Sequence, residues 1–119
     1  MYSALYLSPI VPSFNITETV SFFVHLLGFE IKMNEETYAI LQKDNLTLHI
    51  LPAGSDIGEM EMYLEVDNID QLWDSIKHKL VGLTFREPFT REYGMREVHI
   101  LIPNTKTLLF IGQHGQTVL

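Results

Sequence analysis

The spacing of hydrophobic positions changes along the chain in an order that occurs twice. A first apolar run, Ala4–Val11, predicts a strand, and apolar residues then recur at the spacing of one helix face. Three shorter strand patterns follow, at Phe29–Met33, Tyr38–Gln42 and Leu46–Leu51. The helical stripe between them consists of Ile16, Val20, Phe23, Val24 and Leu27. The first half therefore predicts the order βαβββ.

The second half repeats this order. Met60–Val66 alternates between apolar and polar residues, as expected of a half-buried strand. Further strands are predicted at about Thr84–Thr90, Arg96–Ile102 and Thr107–Ile111. The intervening helical stripe consists of Ile69, Leu72, Trp73, Ile76 and Leu80. The repetition predicts a single domain, residues 1–119, built of two pseudo-repeats at about 1–57 and 58–119. We expect a ligand site in the space that the two modules enclose.

Both predicted helices carry start and stop signals. Asn15 and Asn68 stand where an N-cap residue belongs, and Glu18 and Gln71 follow three residues later, as in a capping box. Each helix is expected to end at a glycine, Gly28 or Gly82, because glycine adopts the left-handed conformation at the least cost.

Composition narrows the class of protein. The formal net charge of −7 argues against a nucleic-acid partner and favours cationic or neutral ligands, although solubility alone explains such a surface. No apolar run approaches the roughly 20 residues of a membrane span, so we expect no membrane partner. The start of the chain does not resemble a signal peptide, and cysteine is absent. These features predict a cytoplasmic protein.

Several predicted strands set a polar or aromatic face against an apolar one. In Met60–Val66, the residues Glu61, Tyr63 and Glu65 alternate with apolar neighbours, and Arg96–Ile102 sets Glu97 and His99 on one side in the same way. Solvent exposure accounts for this alternation, and so does a cavity. The tyrosines among the polar residues, Tyr6 and Tyr63, favour a cavity.

Six short segments add a signal through their order and spacing: Val11–Asn15, Phe22–Phe29, Tyr38–Leu41, Leu46–His49, Glu92–Glu97 and Pro103–Phe110. Together they resemble the glyoxalase/bleomycin-resistance-protein branch of the vicinal oxygen chelate superfamily. The resemblance implies an α+β fold in which two tandem βαβββ modules form a curved mixed sheet around a cleft. The last turn departs from the family pattern, with Ile102 in place of Asp and Thr105 in place of Gly.

Metal-dependent members of that superfamily use four inward-facing strand positions. By spacing, these positions fall on Ser8, His49, Glu61 and Leu109. A leucine cannot coordinate a metal and a serine is a poor neutral donor, so we expect neither a bound metal of the usual type nor another cofactor. Serine nucleophile motifs and a Gly-rich phosphate loop are also missing from the sequence, so no residue is assigned a catalytic role.

The resemblance therefore implies a small-molecule binding protein that sequesters its ligand in a cleft, as a homodimer. Aromatic side chains would stack on a planar ligand, and a carboxylate would attract a cationic part of it. The predicted ligand-binding residues are Tyr6, His49, Glu61, Tyr63, Tyr93 and His99. Two alternatives remain open, a metal-dependent lyase or dioxygenase of the same superfamily and a non-catalytic dimeric interaction module.

Overall fold

Two successive βαβββ modules make up the computed structural model, which describes residues 1–114. The first module comprises β1 (Ile10–Ser13), α1 (Ile16–Ser21) with a π-helical continuation over Phe22–Leu26, β2 (Glu30–Glu35), β3 (Tyr38–Lys43) and β4 (Leu46–Pro52). The second comprises β5 (Met60–Glu65), α2 (Ile69–Ile76) with a 3₁₀ turn over Lys77–Lys79, β6 (Phe85–Thr90), β7 (Met95–Leu101) and β8 (Thr107–His114). The predicted α+β fold with two tandem modules is confirmed. Residues 115–119 of the second pseudo-repeat lie outside the described residues.

Each module forms its own four-stranded mixed sheet. The strand orders are β1-β4-β3-β2 and β5-β8-β7-β6, and in both sheets the first pair is parallel and the other two pairs are antiparallel. The alternation of side chains gives each sheet one buried face, towards the helices, and one face away from them. We call the second face of each sheet its open face.

The predicted start of the first strand is wrong. The apolar run Ala4–Val11 does not form a strand along its length, because β1 begins only at Ile10. Before it, Ser8 Oγ donates to Thr47 O at 2.6 Å and Pro9 O accepts from His49 N at 3.0 Å. A strand needs a neighbour for its backbone groups, and residues 2–7 pair with no strand among residues 1–114.

The helix signals act largely as predicted. Asn15 and Asn68 each cap a helix through Oδ1, which accepts from the backbone three residues on at 3.2 and 3.0 Å. Gly28 directly follows Leu27, the C-cap of the first helix, with a φ angle of +77°. The second helical segment ends earlier than predicted, at Lys79 with Leu80 as its C-cap, and Gly82 takes its φ of +84° in the turn that follows. The capping box at the first helix does not close, however, because the Glu18 carboxylate accepts instead from the Asn104 side chain. Glu18 thereby ties α1 to the second module.

The turn before β8, whose sequence departs from the family pattern, is held by its own side chains and backbone. Asn104 takes the positive φ of +61°, a conformation that asparagine tolerates. Thr105 Oγ1 donates to Ile102 O at 2.8 Å and accepts from Thr107 N at 3.0 Å. The turn also joins the modules, since Phe14 N donates to Asn104 O at 2.7 Å and Thr19 Oγ1 donates to Pro103 O at 2.9 Å.

One continuous hydrophobic core holds both modules together. Apolar side chains from the buried faces of the two sheets and from both helices meet in it, including Phe23, Leu41, Ile50, Ile76, Ile100 and Ile111. Trp73 packs against this core, as its place on the helical stripe predicts, with its ring 6.0 Å from that of Phe85. Within residues 1–114 no helix is long and apolar enough to cross a bilayer.

Candidate functional site

One row of side chains crosses the second sheet from edge to edge. The strand register places Tyr63 of β5 beside Phe110 of β8, Phe110 beside His99 of β7, and His99 beside Arg86 of β6. Neighbours of these residues, such as Leu109 and Ile100, are buried in the core, so the row lies on the open face. We call these four residues the second-sheet row. It brings three ring systems and one guanidinium group onto one surface.

A buried carboxylate supports the centre of this row. The side chain of Glu97 is 1% exposed and accepts three hydrogen bonds, from Arg91 Nη1 at 3.2 Å, Tyr93 Oη at 2.5 Å and His99 Nε2 at 2.8 Å. Buried charges are tolerated when donors satisfy their oxygens, and here both oxygens have partners. Glu97 therefore fixes the positions of His99 and Tyr93 at the same time.

The same contacts determine how these groups ionise. Burial opposes the charge on Glu97, but the hydrogen bonds from His99 and Tyr93 and the nearby charge of Arg91 outweigh it. The pKa of the Glu97 carboxyl consequently lies below its ordinary value. The hydrogen bond to Glu97 raises the pKa of the Tyr93 phenol. At neutral pH, Glu97 is thus an anion and Tyr93 a neutral donor.

His99, which is held by Glu97, is packed against further aromatic rings. The His99 ring stacks on Phe110 with centroids 4.0 Å apart and planes 20° apart, and it meets the Phe89 ring edge to face at 5.0 Å. The guanidinium group of Arg86 lies 3.5 Å above the Phe89 ring. Arg91 lies 4.8 Å from the centroid of Tyr93. These stacks restrict the side chains before any ligand arrives.

The position of Tyr63 depends on a missing side chain. A Cβ atom added to Gly112 of β8 would lie 2.7 Å from Tyr63 Oη, so glycine allows the tyrosine to approach the strand. The Tyr63 hydroxyl donates to Glu65 Oε1 at 3.3 Å. Burial and the negative charge of Glu65 raise the pKa of Tyr63 to about 12. The phenol therefore stays neutral and presents its ring on the open face.

The open face of the first sheet has fewer polar and charged side chains in its row. There the Tyr38 hydroxyl is hydrogen-bonded to His49 Nδ1, and the two rings meet edge to face at 5.6 Å. The strand neighbours of His49 are Ile10 and Ile40, both apolar. His49 is consequently held by one hydrogen bond in apolar surroundings.

A crevice separates β4 from β5. Its volume is about 220 Å³, and its walls include Leu48 of the first module and Met62 of the second. Tyr6 and Leu7, from the segment before β1, also line it, and so does Tyr63. The crevice is therefore an apolar space that adjoins the second-sheet row through Tyr63.

The structure brings four of the six predicted ligand-binding residues to one surface. Tyr63, Tyr93 and His99 belong to the open face of the second sheet, and Glu61 lines a shallow depression there with Tyr63 and Phe110. His49 is on the open face of the other sheet, and Tyr6 lines the crevice.

Sequence reasoning missed several residues of this surface. The alternation along the strand predicts that Glu97 shares a face with His99, but the sequence gives no sign that three donors converge on its carboxylate. Arg86, Phe89, Arg91 and Phe110 were not singled out. A register irregularity between Arg86 and Phe89 breaks the simple alternation along β6, so that strand gives no readable pattern.

One of the four positions considered for a metal is misassigned. Leu109 is fully buried in the core and so faces away from the open face, where its neighbours Leu108 and Phe110 stand instead. Spacing counted from the turn is wrong by one residue, and in a strand that error reverses the face. Within residues 1–114, no three His, Asp or Glu side chains are close enough together to hold a metal ion.

Comparison with solved structures places the fold. A bleomycin-binding protein from bleomycin-producing Streptomyces verticillus, in complex with copper(II)-bleomycin, superposes with a TM-score of 0.80 over 98% of this chain and 100% of its own, at 21% identity. The chain has the fold of the bleomycin-binding proteins. A bleomycin resistance determinant encoded on transposon Tn5 gives a TM-score of 0.75 at 22% identity, over 95% of this chain and 100% of its own.

The same fold also occurs in an enzyme. A lactoylglutathione lyase from Agrobacterium tumefaciens superposes with a TM-score of 0.75 at 10% identity, over 93% of this chain and 94% of its own. No protein-family model and no curated protein sequence matches the chain. At these identities the likeness establishes the fold, while function must be argued from the site itself.

Proposed function

We propose that the protein binds a small organic ligand with an aromatic part and a cationic part, and sequesters it without chemical change. The ligand would lie on the open face of the second sheet, in a cleft completed by a second copy of the chain. The proposed setting is the cytoplasm.

The buried Glu97 is the observation that carries this proposal. Burying a carboxylate is costly, and here the cost is offset by three donors, two of which, Tyr93 and His99, belong to the aromatic surface. His99 then stacks on Phe110 and packs against Phe89. A set of rings held in advance in this way loses little freedom when a flat ligand binds, which favours affinity.

The negative charges on this surface are the reason for proposing a cationic group on the ligand. Glu61 and Glu65 flank Tyr63 on β5, on the same side of the strand, and both are exposed. The net charge of −7 adds a general attraction for cations. Two proteins of the same fold are described as binding bleomycin or as a bleomycin resistance determinant, so antibiotic binding is one form that this function could take.

Thermal shift and calorimetry test the binding proposal. We expect bleomycin or planar cationic dyes such as proflavine and ethidium to raise the melting temperature, because a ligand that binds the native state stabilises it. Replacing both Tyr63 and His99 by alanine should abolish the shift. His78→Ala, on the 3₁₀ turn after α2, is the matched histidine control.

Two results would contradict the proposal. One is the absence of any shift with every probe. The other is near-stoichiometric metal in protein purified without chelator, measured by elemental mass spectrometry, together with loss of that metal in His49→Ala. The second result would favour the lyase or dioxygenase alternative.

The homodimer is argued from exposed apolar surface. The chain exposes 8024 Å², whereas a compact monomer of its mass of 13.7 kDa exposes about 6,600 Å². Before β1, the side chains of Tyr2, Leu5 and Leu7 are 88%, 89% and 99% exposed. Apolar surface of this kind typically marks a contact with another protein, and here a second copy would cover it.

Sedimentation velocity tests this second part of the proposal. We expect a dimer for the unmodified chain, and a monomer for the double variant Leu5→Asp/Leu7→Asp, because two carboxylates would have to be buried in the contact. The matched control places the same charges on an exposed helix surface, as Ser75→Asp with Gln71→Asp. A monomeric unmodified chain at micromolar concentration would contradict the homodimer.

A further inference from the structure

The second-sheet row has negatively charged side chains beside one end and a positively charged side chain at the other. On β5, at one edge of the sheet, Glu61 and Glu65 stand on either side of Tyr63. On β6, at the other edge, Arg86 ends the row. Between them lie the rings of Phe110 and His99. The surface therefore runs from acidic through aromatic to basic across four strands.

Arg86 is available for a ligand in a way that Arg91 is not. Arg91 is paired with the buried Glu97, whereas Arg86 makes no ion pair with any of residues 1–114. Its guanidinium group lies 3.5 Å above the Phe89 ring. A guanidinium group stacked on a ring keeps its N–H donors at its edges, where they can bind a carboxylate or a phosphate in bidentate fashion.

The acidic end is equally accessible. Glu61 and Glu65 are exposed, and Glu61 forms part of the shallow depression with Tyr63 and Phe110. Glu65 accepts a hydrogen bond from Tyr63 at 3.3 Å, which uses one of its oxygens and leaves the other. A cationic group placed over Tyr63 would therefore meet two carboxylates and one ring face.

Building on the proposed binding function, we propose that the ligand is an elongated aromatic zwitterion that lies across the strands of the second sheet. Its cationic group would contact Glu61 and Glu65 on β5, its planar body would lie on Phe110 and His99, and its anionic group would contact Arg86 on β6. Three strand spacings of about 4.8 Å separate the two ends, so the ligand should span about 14 Å between contacting residues. A carboxylate, a sulfonate or a phosphate would serve as the anionic group.

A matched set of three probes tests the charge requirement at both ends. The zwitterion is 4′-(aminomethyl)biphenyl-4-carboxylic acid, whose charged groups are separated by two rings. Its methyl ester carries only the cation, and its N-acetyl derivative carries only the anion. We expect the zwitterion to bind the unmodified protein about fivefold more tightly than either derivative, the scale expected when one exposed ion pair is lost.

Protein variants then assign each end of the probe. Arg86→Gln should weaken zwitterion binding about fivefold and leave the affinity for the methyl ester unchanged. The double variant Glu61→Gln/Glu65→Gln should likewise weaken binding of the zwitterion. It should leave the affinity for the N-acetyl derivative, which lacks the cation, unchanged. Asp74→Asn and Lys77→Gln, on the helical segment that lies on the other side of this sheet, are the matched charge controls.

The outcomes separate this inference from the binding function on which it rests. If cationic dyes and the methyl ester bind but the zwitterion binds no more tightly than the methyl ester, the inference is overturned and the binding function stands. If no probe of either experiment binds, both are overturned. If Arg86→Gln alters the sedimentation coefficient and leaves probe affinities unchanged, the surface binds protein, and the inference is overturned.

Discussion

The open faces of the two sheets differ although their backbones follow the same plan. Ile10 and Tyr63 each stand five residues before the asparagine that caps the next helix, and each begins a row across its sheet. The row of the first sheet continues through His49, Ile40 and Met33. That of the second continues through Phe110, His99 and Arg86. One row is mostly aliphatic, and the other is aromatic and charged.

This difference shows which positions of a repeated fold are constrained. The buried faces must fill one common core, so both modules place large apolar residues there. The open faces have no such requirement and can acquire separate chemistry. Leu51 and Gly112 illustrate it, since they occupy corresponding positions two residues beyond His49 and Phe110. Only glycine leaves room for the Tyr63 ring.

The largest difference between the two open faces should be in the stability lost when Glu97 on the second sheet, or His49 on the first, is replaced by alanine. Glu97→Ala leaves Arg91, Tyr93 and His99 without their common acceptor and should lower the free energy of unfolding by about 3 kcal/mol. His49→Ala loses one hydrogen bond and should cost about 1 kcal/mol. Urea denaturation followed by circular dichroism measures both. Equal losses would show that the two faces are energetically alike.

The second largest difference between the two open faces should appear in the pH dependence of stability, through Glu97 on the second sheet. Because the folded-state pKa of Glu97 lies below its ordinary value of 4.5, its ionised form stabilises the fold above that pH. The contribution is lost as the pH falls below 4.5 and through the folded-state pKa. Stability between about pH 6 and about pH 3 should therefore fall more in the unmodified protein than in Glu97→Gln. Parallel curves for the two proteins would contradict the assigned pKa direction.

The helix caps should give equal effects in the two modules. Asn15→Ala and Asn68→Ala each remove one acceptor for an exposed backbone N–H and should each cost about 1 kcal/mol. Replacement by aspartate should restore most of the loss. Denaturant midpoints at constant slope provide the measurement. A difference of more than about 1 kcal/mol between the two alanine variants would mean that the modules do not share a common scaffold.

The smallest effect on stability is expected at Gly112. In Gly112→Ala the half-exposed Tyr63 ring can swing outward, so the free energy of unfolding should change by less than about 0.5 kcal/mol. The pKa of Tyr63 should nevertheless fall from about 12 towards 10.0, because the phenol loses its burial and also moves away from Glu65. Nuclear magnetic resonance of ¹³C-labelled tyrosine follows the titration, with Tyr63→Phe to assign the signal. An unchanged pKa would mean that Gly112 does not position the ring.

Much of the fold could be read from local patterns. The two asparagine caps, the glycine that ends the first helix and most of the alternating strands each depend on neighbours a few residues away, and the structure has them. The apolar run before β1 was the exception. Its composition suits a strand, yet residues 2–7 find no strand partner within residues 1–114, since pairing depends on what lies beside a segment and not on the segment itself.

The sequence by itself determined the scaffold, because helix caps, turn residues and hydrophobic periodicity are local properties of the chain. It also indicated Tyr63, Tyr93 and His99 as residues of interest. Only the tertiary structure decided that Glu97 joins two of them and that Arg86 ends their row. The row arises from strand register, which brings together residues from β5, β8, β7 and β6 that are distant in sequence, whereas Glu97 meets Tyr93 and His99 through the turn before β7 and the alternation along that strand. The chemistry of the open face is therefore a property of the assembled sheet.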